Sequence, residues 1–140
     1  MYMEIKEIIN NYNKILTVTK TPEGLVWPVS TTPKRCIYYI IFNNILVKIG
    51  QTKNFNKRSN SYRVEAKKLN LNQKASNNGS VATVYKLNEL MNVGQTAEIY
   101  AWFVESKKHY ELHNGKRVPI TVNMLKLENN EIKKYNPLLK

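Results

Sequence analysis

The sequence predicts an α+β fold, a small and mainly antiparallel β-sheet flanked by helices, on three observations. Runs of β-branched and aromatic residues alternate along the chain with amphipathic stretches of helical period. Two turn signals, Asn43-Asn44 and Asn114-Gly115, each join a pair of extended runs and so specify hairpins, whose strands are antiparallel. The length of 140 residues, 42% of them hydrophobic, suits one core that needs no staples.

Taken in order, Met3 to Ile15 reads as a short amphipathic helix, with Ile5, Ile8, Ile9 and Tyr12 on one face. Thr21 to Pro33 carries three prolines and a glycine and is expected to be irregular. Cys36 to Phe42 (CIYYIIF) and Ile45 to Gly50 (ILVKIG) form the first hairpin around Asn43-Asn44. Asn54 then caps a helix running through Arg58, Tyr62 and Ala66 to Leu69, because an Asn side chain satisfies the first free amides. Asn70 to Ser80 is a polar loop. Val81 to Met91 is helical and stops near Gly94. Glu98 to Val104 (EIYAWFV) is a strand, and His109 to Val122 is a second hairpin around Asn114-Gly115. Leu125 to Tyr135 is the last helix, ended by the restriction that Pro137 places on its predecessor. The organisation expected is one compact domain overall, with a lead of residues 1–34, helix and irregular segment, ahead of residues 35–140, and no internal repeat.

Lys and Arg number 22 against 10 Asp and Glu, a net charge of +12 with pI near 9.8. No apolar run reaches the ~20 residues of a membrane span, and the N-terminus lacks the zones of a signal peptide. A lone cysteine, Cys36, forms no intramolecular disulfide and suits a reducing compartment, so a cytoplasmic location without membrane contact is expected. Basic charge points to a polyanion, because neutralising phosphates releases counterions; the bland alternative is solubility. Placement argues for the first, since Lys53, Lys57, Arg58, Arg63, Lys67 and Lys68 all fall within sixteen residues, in and just before the helix after the first hairpin.

A sharper signal lies in Ile37-Tyr38 within CIYYI, in Lys48-Ile49-Gly50-Gln51-Thr52, and in Arg58 with Tyr62. Their order and spacing resemble the GIY-YIG nuclease superfamily. The segment from Lys126 to Pro137 resembles the end of the nuclease domain of the UvrC excision-repair incision subunit, where the glutamate matching Glu128 holds the metal. The long lead and the late carboxylate are similar to the endonuclease II branch found in T-even coliphages. The resemblance implies a DNA endonuclease that uses Mg²⁺, with Mn²⁺ as a substitute, on double-stranded DNA. One domain carries one site, so cutting both strands implies a homo-oligomer, dimer or tetramer, or sequential nicks.

The chemistry fits these residue types. Hydrolysis of a phosphodiester needs a deprotonated water and charge stabilisation on the phosphorus oxygens. Tyr38 can hold the water and take its proton, provided nearby positive charge lowers the phenol; Lys48 on the partner strand supplies that charge or accepts the proton itself. Arg58 suits the non-bridging oxygens by its fork geometry. Tyr62, four residues on and hence on the same helix face, orients the water or binds a phosphate oxygen. Glu128 supplies the one carboxylate for Mg²⁺, a hard cation that completes its shell with waters and substrate. Lys53, Lys57, Arg63, Lys67, Lys133 and Asn136 are expected along the DNA path.

Several features depart from the superfamily pattern. Cys36 stands where glycine is usual, Lys48 where most relatives have a second tyrosine, and the terminal asparagine is matched by Lys140 in spacing or by Asn136 in type. Glu131 and Glu98 are rival metal carboxylates. His109 and His113, four apart with no cysteine partners, make a poor zinc pair. Two other readings remain: a DNA-binding module of this family that has lost turnover, and a small RNA-binding protein supported by charge alone.

Overall fold

The computed structural model describes residues 2–104, 109–120 and 123–140. Helix α1 (Tyr2–Asn11) opens the chain and is followed by strands β1 (Asn13–Thr21), β2 (Gly24–Val26), β3 (Cys36–Phe42) and β4 (Ile45–Thr52). Helices α2 (Phe55–Asn70) and α3 (Ser80–Leu90) come next, then β5 (Thr96–Phe103), the hairpin β6 (His109–His113) and β7 (Lys116–Ile120), and finally α4 (Met124–Tyr135). The main sheet has five strands in the order β2-β1-β5-β3-β4, and every pairing in it is antiparallel. The predicted α+β class is the one observed.

Both faces of this sheet are covered. One face, with Val18, Leu25, Cys36, Tyr38, Ile40 and Ile99, packs against Phe55, Tyr62, Val84 and Leu87 of α2 and α3. The other, with Ile37, Tyr39, Ile41, Ile49 and Tyr100, packs against Ile5 and Ile8 of α1 and Met124 and Tyr135 of α4. That is why β3 reads as an unbroken apolar run: alternate side chains enter two different cores, and all seven of its residues are buried.

The first hairpin forms as its turn residues require, with Asn43 and Asn44 both at positive φ (48° and 60°), the combination that matches the twist of the flanking strands. Asn54 caps α2 by accepting the Lys57 backbone N–H. Two expectations fail. Helix α1 ends at Asn11, and the chain continues from Asn13 as a nine-residue strand that buries Leu16 and Val18. The segment read as irregular contains β2, whose outer edge is closed by the Asn70 side chain: its Oδ1 accepts the Leu25 N–H (3.1 Å) and its Nδ2 donates to the Leu25 carbonyl (2.8 Å). The first 34 residues therefore supply two strands of the sheet, β1 and β2, besides helix α1.

Strand β4 is the other edge. Past α4 the chain turns at Asn136, in the left-handed region at φ 49°, and lays its last residues along β4. Leu138 N–H donates to the Leu46 carbonyl (2.9 Å) and Leu139 N–H to that of Val47 (2.8 Å). This arrangement brings α4 alongside the half of the sheet that carries Tyr38 and Lys48. No described helix is long and apolar enough to cross a membrane.

Candidate active site

Strand β3 places Tyr38 opposite Gly50 of β4 and Ala101 of β5. Paired residues share a face of the sheet, so the ring of Tyr38 lies among neighbours that are as small as side chains allow. At Gly50 the fit is exclusive: a Cβ there would sit 2.2 Å from the Tyr38 Cζ and hydroxyl. The glycine is needed for the space above it, not for a turn. Phe55 meets the Tyr38 ring edge-on at 5.5 Å, and the phenol is 1% exposed.

Helix α2 delivers the second tyrosine. The hydroxyls of Tyr38 and Tyr62 are hydrogen-bonded at 2.7 Å. Tyr62 is held from behind by Trp27, stacked on it at 4.9 Å, while the Trp27 indole N–H donates to Ser59 Oγ at 2.9 Å. Arg58, one turn earlier on α2, is exposed, so its guanidinium is free to meet a phosphate.

Lys48 faces Ile40 across the hairpin and thus shares the Tyr38 face. A bulge falls at this point, between the pairs Ile40–Lys48 and Ile41–Leu46. Glu128, half-buried on α4, reaches the same edge. Its carboxyl is raised above the usual range by burial, against the pull of Lys48, of the Gln51 backbone N–H and of Arg58. The field of Glu128 is in turn felt by Tyr38 and Tyr62, as is that of Arg58. Tyr38, Lys48, Arg58, Tyr62 and Glu128, drawn from β3, β4, α2 and α4, therefore occupy one electrostatic neighbourhood.

The condition set on Tyr38 as a base is not met. Burial pushes its phenol well above the ordinary value, the Tyr62 hydroxyl adds to the rise, and Arg58 opposes both without overcoming them. Lys48, expected to lower Tyr38, is the leading positive charge on Glu128. Tyr62 is raised too, chiefly by burial, with Tyr38, Arg58 and the Thr83 hydroxyl of α3 pulling it down.

The rival carboxylates lie elsewhere. Glu131 accepts a hydrogen bond from the Tyr39 hydroxyl at 2.5 Å, on the opposite face of the sheet. Glu98 accepts from the Tyr100 hydroxyl at 2.8 Å and lies 3.7 Å from Lys14 Nζ, also on that far face. Among the described residues no group of three His, Cys, Asp or Glu could enclose a metal. A single half-buried carboxylate near an exposed arginine suits Mg²⁺, which keeps waters and takes oxygens from substrate; it does not suit zinc, which wants more nitrogen and sulfur ligands. The side chains of His109 and His113 lie outside the described residues.

The basic residues divide. Lys53, Lys57 and Arg58, with Gln51, Thr52 and Ser61, line a cavity of about 400 Å³. Arg63 and Lys67 do not join it: at 3.6 residues per turn they stand about 140° and 180° round α2 from Arg58. Arg63 Nε and Nη2 instead donate to Asn60 Oδ1 (3.3 and 2.9 Å). Lys133 is exposed on α4, about 140° round that helix from Glu128. Asn136 lines a cavity with Asn44, Ile45 and Leu46, at the turn end of the hairpin and away from Arg58. Sequence reasoning missed Trp27 and Thr83, which touch Tyr62 from segments with no motif, and the Gln51 amide, which only the edge position of β4 leaves free.

An antiparallel sheet sandwiched between two pairs of helices, with two tyrosines, an arginine and a glutamate meeting at its edge strand, defines an α+β nuclease-like fold. No protein-family model and no curated protein matches the chain. Solved structures do. A mutant of bacteriophage T4 EndoII aligns over 96% of this chain and 97% of its own, with a TM-score of 0.67 and 23% identity, so the two share a fold. The restriction endonuclease HPY188I in complex with product DNA aligns over 94% of this chain and 79% of its own, at 19% identity and a TM-score of 0.49.

Proposed function

We propose that this chain is an Mg²⁺-dependent endonuclease of GIY-YIG type that hydrolyses phosphodiester bonds in double-stranded DNA. The observation that carries the reading is the convergence of Tyr38, Lys48, Arg58, Tyr62 and Glu128 from four separate elements on one sheet edge. The spacing of the motifs, the net charge of +12 and the fold shared with EndoII support it.

Arg58 holds the non-bridging oxygens of the scissile phosphate, free to do so because it is exposed. Glu128 is the residue that would hold Mg²⁺ or Mn²⁺, which when bound supplies positive charge to the phosphate and leaving oxygens. A single protein carboxylate leaves most of the cation's shell to waters and substrate oxygens, so metal binding is weak without DNA and the cation arrives together with phosphate. The hydroxyl pair of Tyr38 and Tyr62 orients the attacking water. Its proton goes to Tyr38, deprotonated only as a minor species, while Lys48, the leading positive charge on Glu128, stabilises charge at the rim. Lys53 and Lys57 extend the phosphate path from Arg58. The protein acts as a homo-oligomer, dimer or tetramer, so that two sites address two strands, in a role of host-DNA degradation or restriction.

Supercoiled plasmid incubated with the full chain and Mg²⁺ is expected to be nicked and linearised, and Glu128→Ala to be at least ~1,000-fold slower, about 4 kcal/mol of barrier at 1.36 kcal/mol per decade. Wild-type protein that binds the plasmid and leaves it supercoiled would establish the inactive DNA-binding module instead. Equal cleavage by both proteins would remove Glu128 from the site.

A further inference from the structure

Helix α4 carries two carboxylates three residues apart, and they serve opposite faces of the sheet. Glu128 looks to the edge of β4. Glu131, 9% exposed, accepts the 2.5 Å hydrogen bond from Tyr39. That hydroxyl is a fixed point. The Tyr39 ring is fully buried, stacked on Tyr12 at 5.1 Å with a 6° interplanar angle and met edge-on by Tyr135 at 6.2 Å. It also follows Tyr38 directly in β3, a strand paired on both sides.

Besides this buried bond, α4 is tied to α1 by an exposed ion pair, Lys134 Nζ to Glu7 Oε1 at 3.3 Å, of a kind that contributes little. The Asn123 side chain caps its start, and the backbone bonds of Leu138 and Leu139 to β4 set its place along the edge. These bonds act close to the helix axis and constrain its roll weakly. Met124, Leu127, Ile132 and Tyr135 pack on the sheet and set the roll coarsely by turning the apolar face inward; apolar contact is non-directional and leaves the fine setting open. A short, off-axis hydrogen bond to a buried ring is directional and fixes roll. Glu128, about 60° round the helix from Glu131, is aimed by it.

We infer that Tyr39 and Glu131 are positioning residues: their hydrogen bond sets the roll of α4 and thereby places the Glu128 carboxylate where a divalent cation is held. The same bond occupies Glu131, which keeps it from drawing the cation to the wrong face. The inference rests on the reading of Glu128 as the metal carboxylate.

Two measurements on the folded full chain test it, with wild type, Tyr39→Phe, Glu131→Ala, Glu131→Gln and Glu128→Ala compared. The first is Mn²⁺ binding, followed by loss of the free-ion electron paramagnetic resonance signal, together with the Mg²⁺ concentration for half-maximal cleavage. Tyr39→Phe and Glu131→Ala are expected to weaken Mn²⁺ binding ~10-fold, at the lower end of what outer partners of metal ligands contribute. The Mg²⁺ requirement rises equally, while KM for DNA and the rate at saturating metal stay within about twofold. Glu131→Gln, which keeps an acceptor for the tyrosine hydroxyl, is expected to stay within about twofold of wild type.

The second measurement involves no metal. The Gln51 amide faces Glu128, so its nitrogen and proton resonances report where that carboxylate is. They should move in Tyr39→Phe and Glu131→Ala and hold in Glu131→Gln. An unmoved Gln51 resonance in Tyr39→Phe overturns the positioning role, and so does a Glu131→Gln protein as impaired as Glu131→Ala. Undiminished Mn²⁺ binding by Glu128→Ala would overturn the metal reading instead, and the Gln51 resonance would then decide the positioning role alone.

Discussion

Tyr38 and Tyr39 are neighbours in one strand, yet each hydroxyl enters a different kind of surrounding. On the α2 side Tyr38 meets another hydroxyl, Tyr62, in the field of Arg58 and Glu128, whose charges no hydrogen bond of the tyrosines neutralises. On the α4 side Tyr39 meets a carboxylate inside an aromatic stack. Burial raises both phenols. The contrast lies in what remains open: the Tyr39 hydroxyl ends on a buried carboxylate, whereas the Tyr38 side has an exposed guanidinium and a half-buried carboxylate at its edge. A strand buried on both faces can thus build a reaction site on one and that site's support on the other.

Exchanging the two tyrosines in turn is the strongest way to break this contrast. Tyr38→Phe is expected to lower turnover ~1,000-fold, the upper range for removing one positioned polar group from a reacting centre. Tyr39→Phe should leave turnover at saturating metal nearly intact but lower unfolding free energy by about 1–3 kcal/mol, because Glu131 is left buried with its acceptor unmet. Single-turnover rates and urea unfolding measure the two, and matching losses from both variants would erase the distinction.

Gly50→Ala comes next. The new Cβ overlaps the Tyr38 ring at 2.2 Å, both groups lie in the sheet interior, and the ring has to move. A displacement of that kind costs roughly 100-fold in rate, read by single-turnover cleavage.

The pH profile sharpens the Tyr38 side further. Glu128 is raised above the ordinary carboxylate range, and it binds a cation only when ionised. Activity at sub-saturating Mg²⁺ should therefore fall, as pH is lowered, from a point above the usual Glu value of about 4.3. If Tyr38 takes the proton, its raised phenol makes the logarithm of the rate climb with a slope of about +1 through pH 9. A plateau near neutrality would place the base elsewhere. The smallest effect concerns the two flanks of α2. Lys57→Ala should reduce the salt slope of DNA binding by about one counterion, and Lys67→Ala should leave it unchanged.

What was legible in the sequence was what local chemistry decides. Asn43-Asn44 needed positive φ and received it, Asn54 capped a helix, and Tyr38, Lys48, Arg58 and Tyr62 lie near Glu128, the residue that a resemblance rather than any spacing singled out. Strand β1 was hidden because Ile5, Ile8, Ile9 and Tyr12 set up a helical period that Ile15 extends across Asn13; the alternation of Leu16 and Val18 gains its meaning only from β5, some eighty residues away. The state of the Tyr38 phenol was equally out of reach, since it follows from burial contributed by α2 and β5. Clustering along the chain also misplaced Arg63 and Lys67, near Arg58 in sequence but across the helix from it.

The pairing of Tyr38 between Gly50 and Ala101 settles an address. Its ring occupies the gap over Gly50, on the β4 side, so the hydroxyl is directed to the rim of the sheet rather than its middle. Chemistry at a rim can be performed on a molecule far larger than the protein, because a long duplex touches a border without threading through anything. A missing side chain, one methyl group's worth of room on an edge strand, is thus what turns a buried phenol toward the border of the sheet.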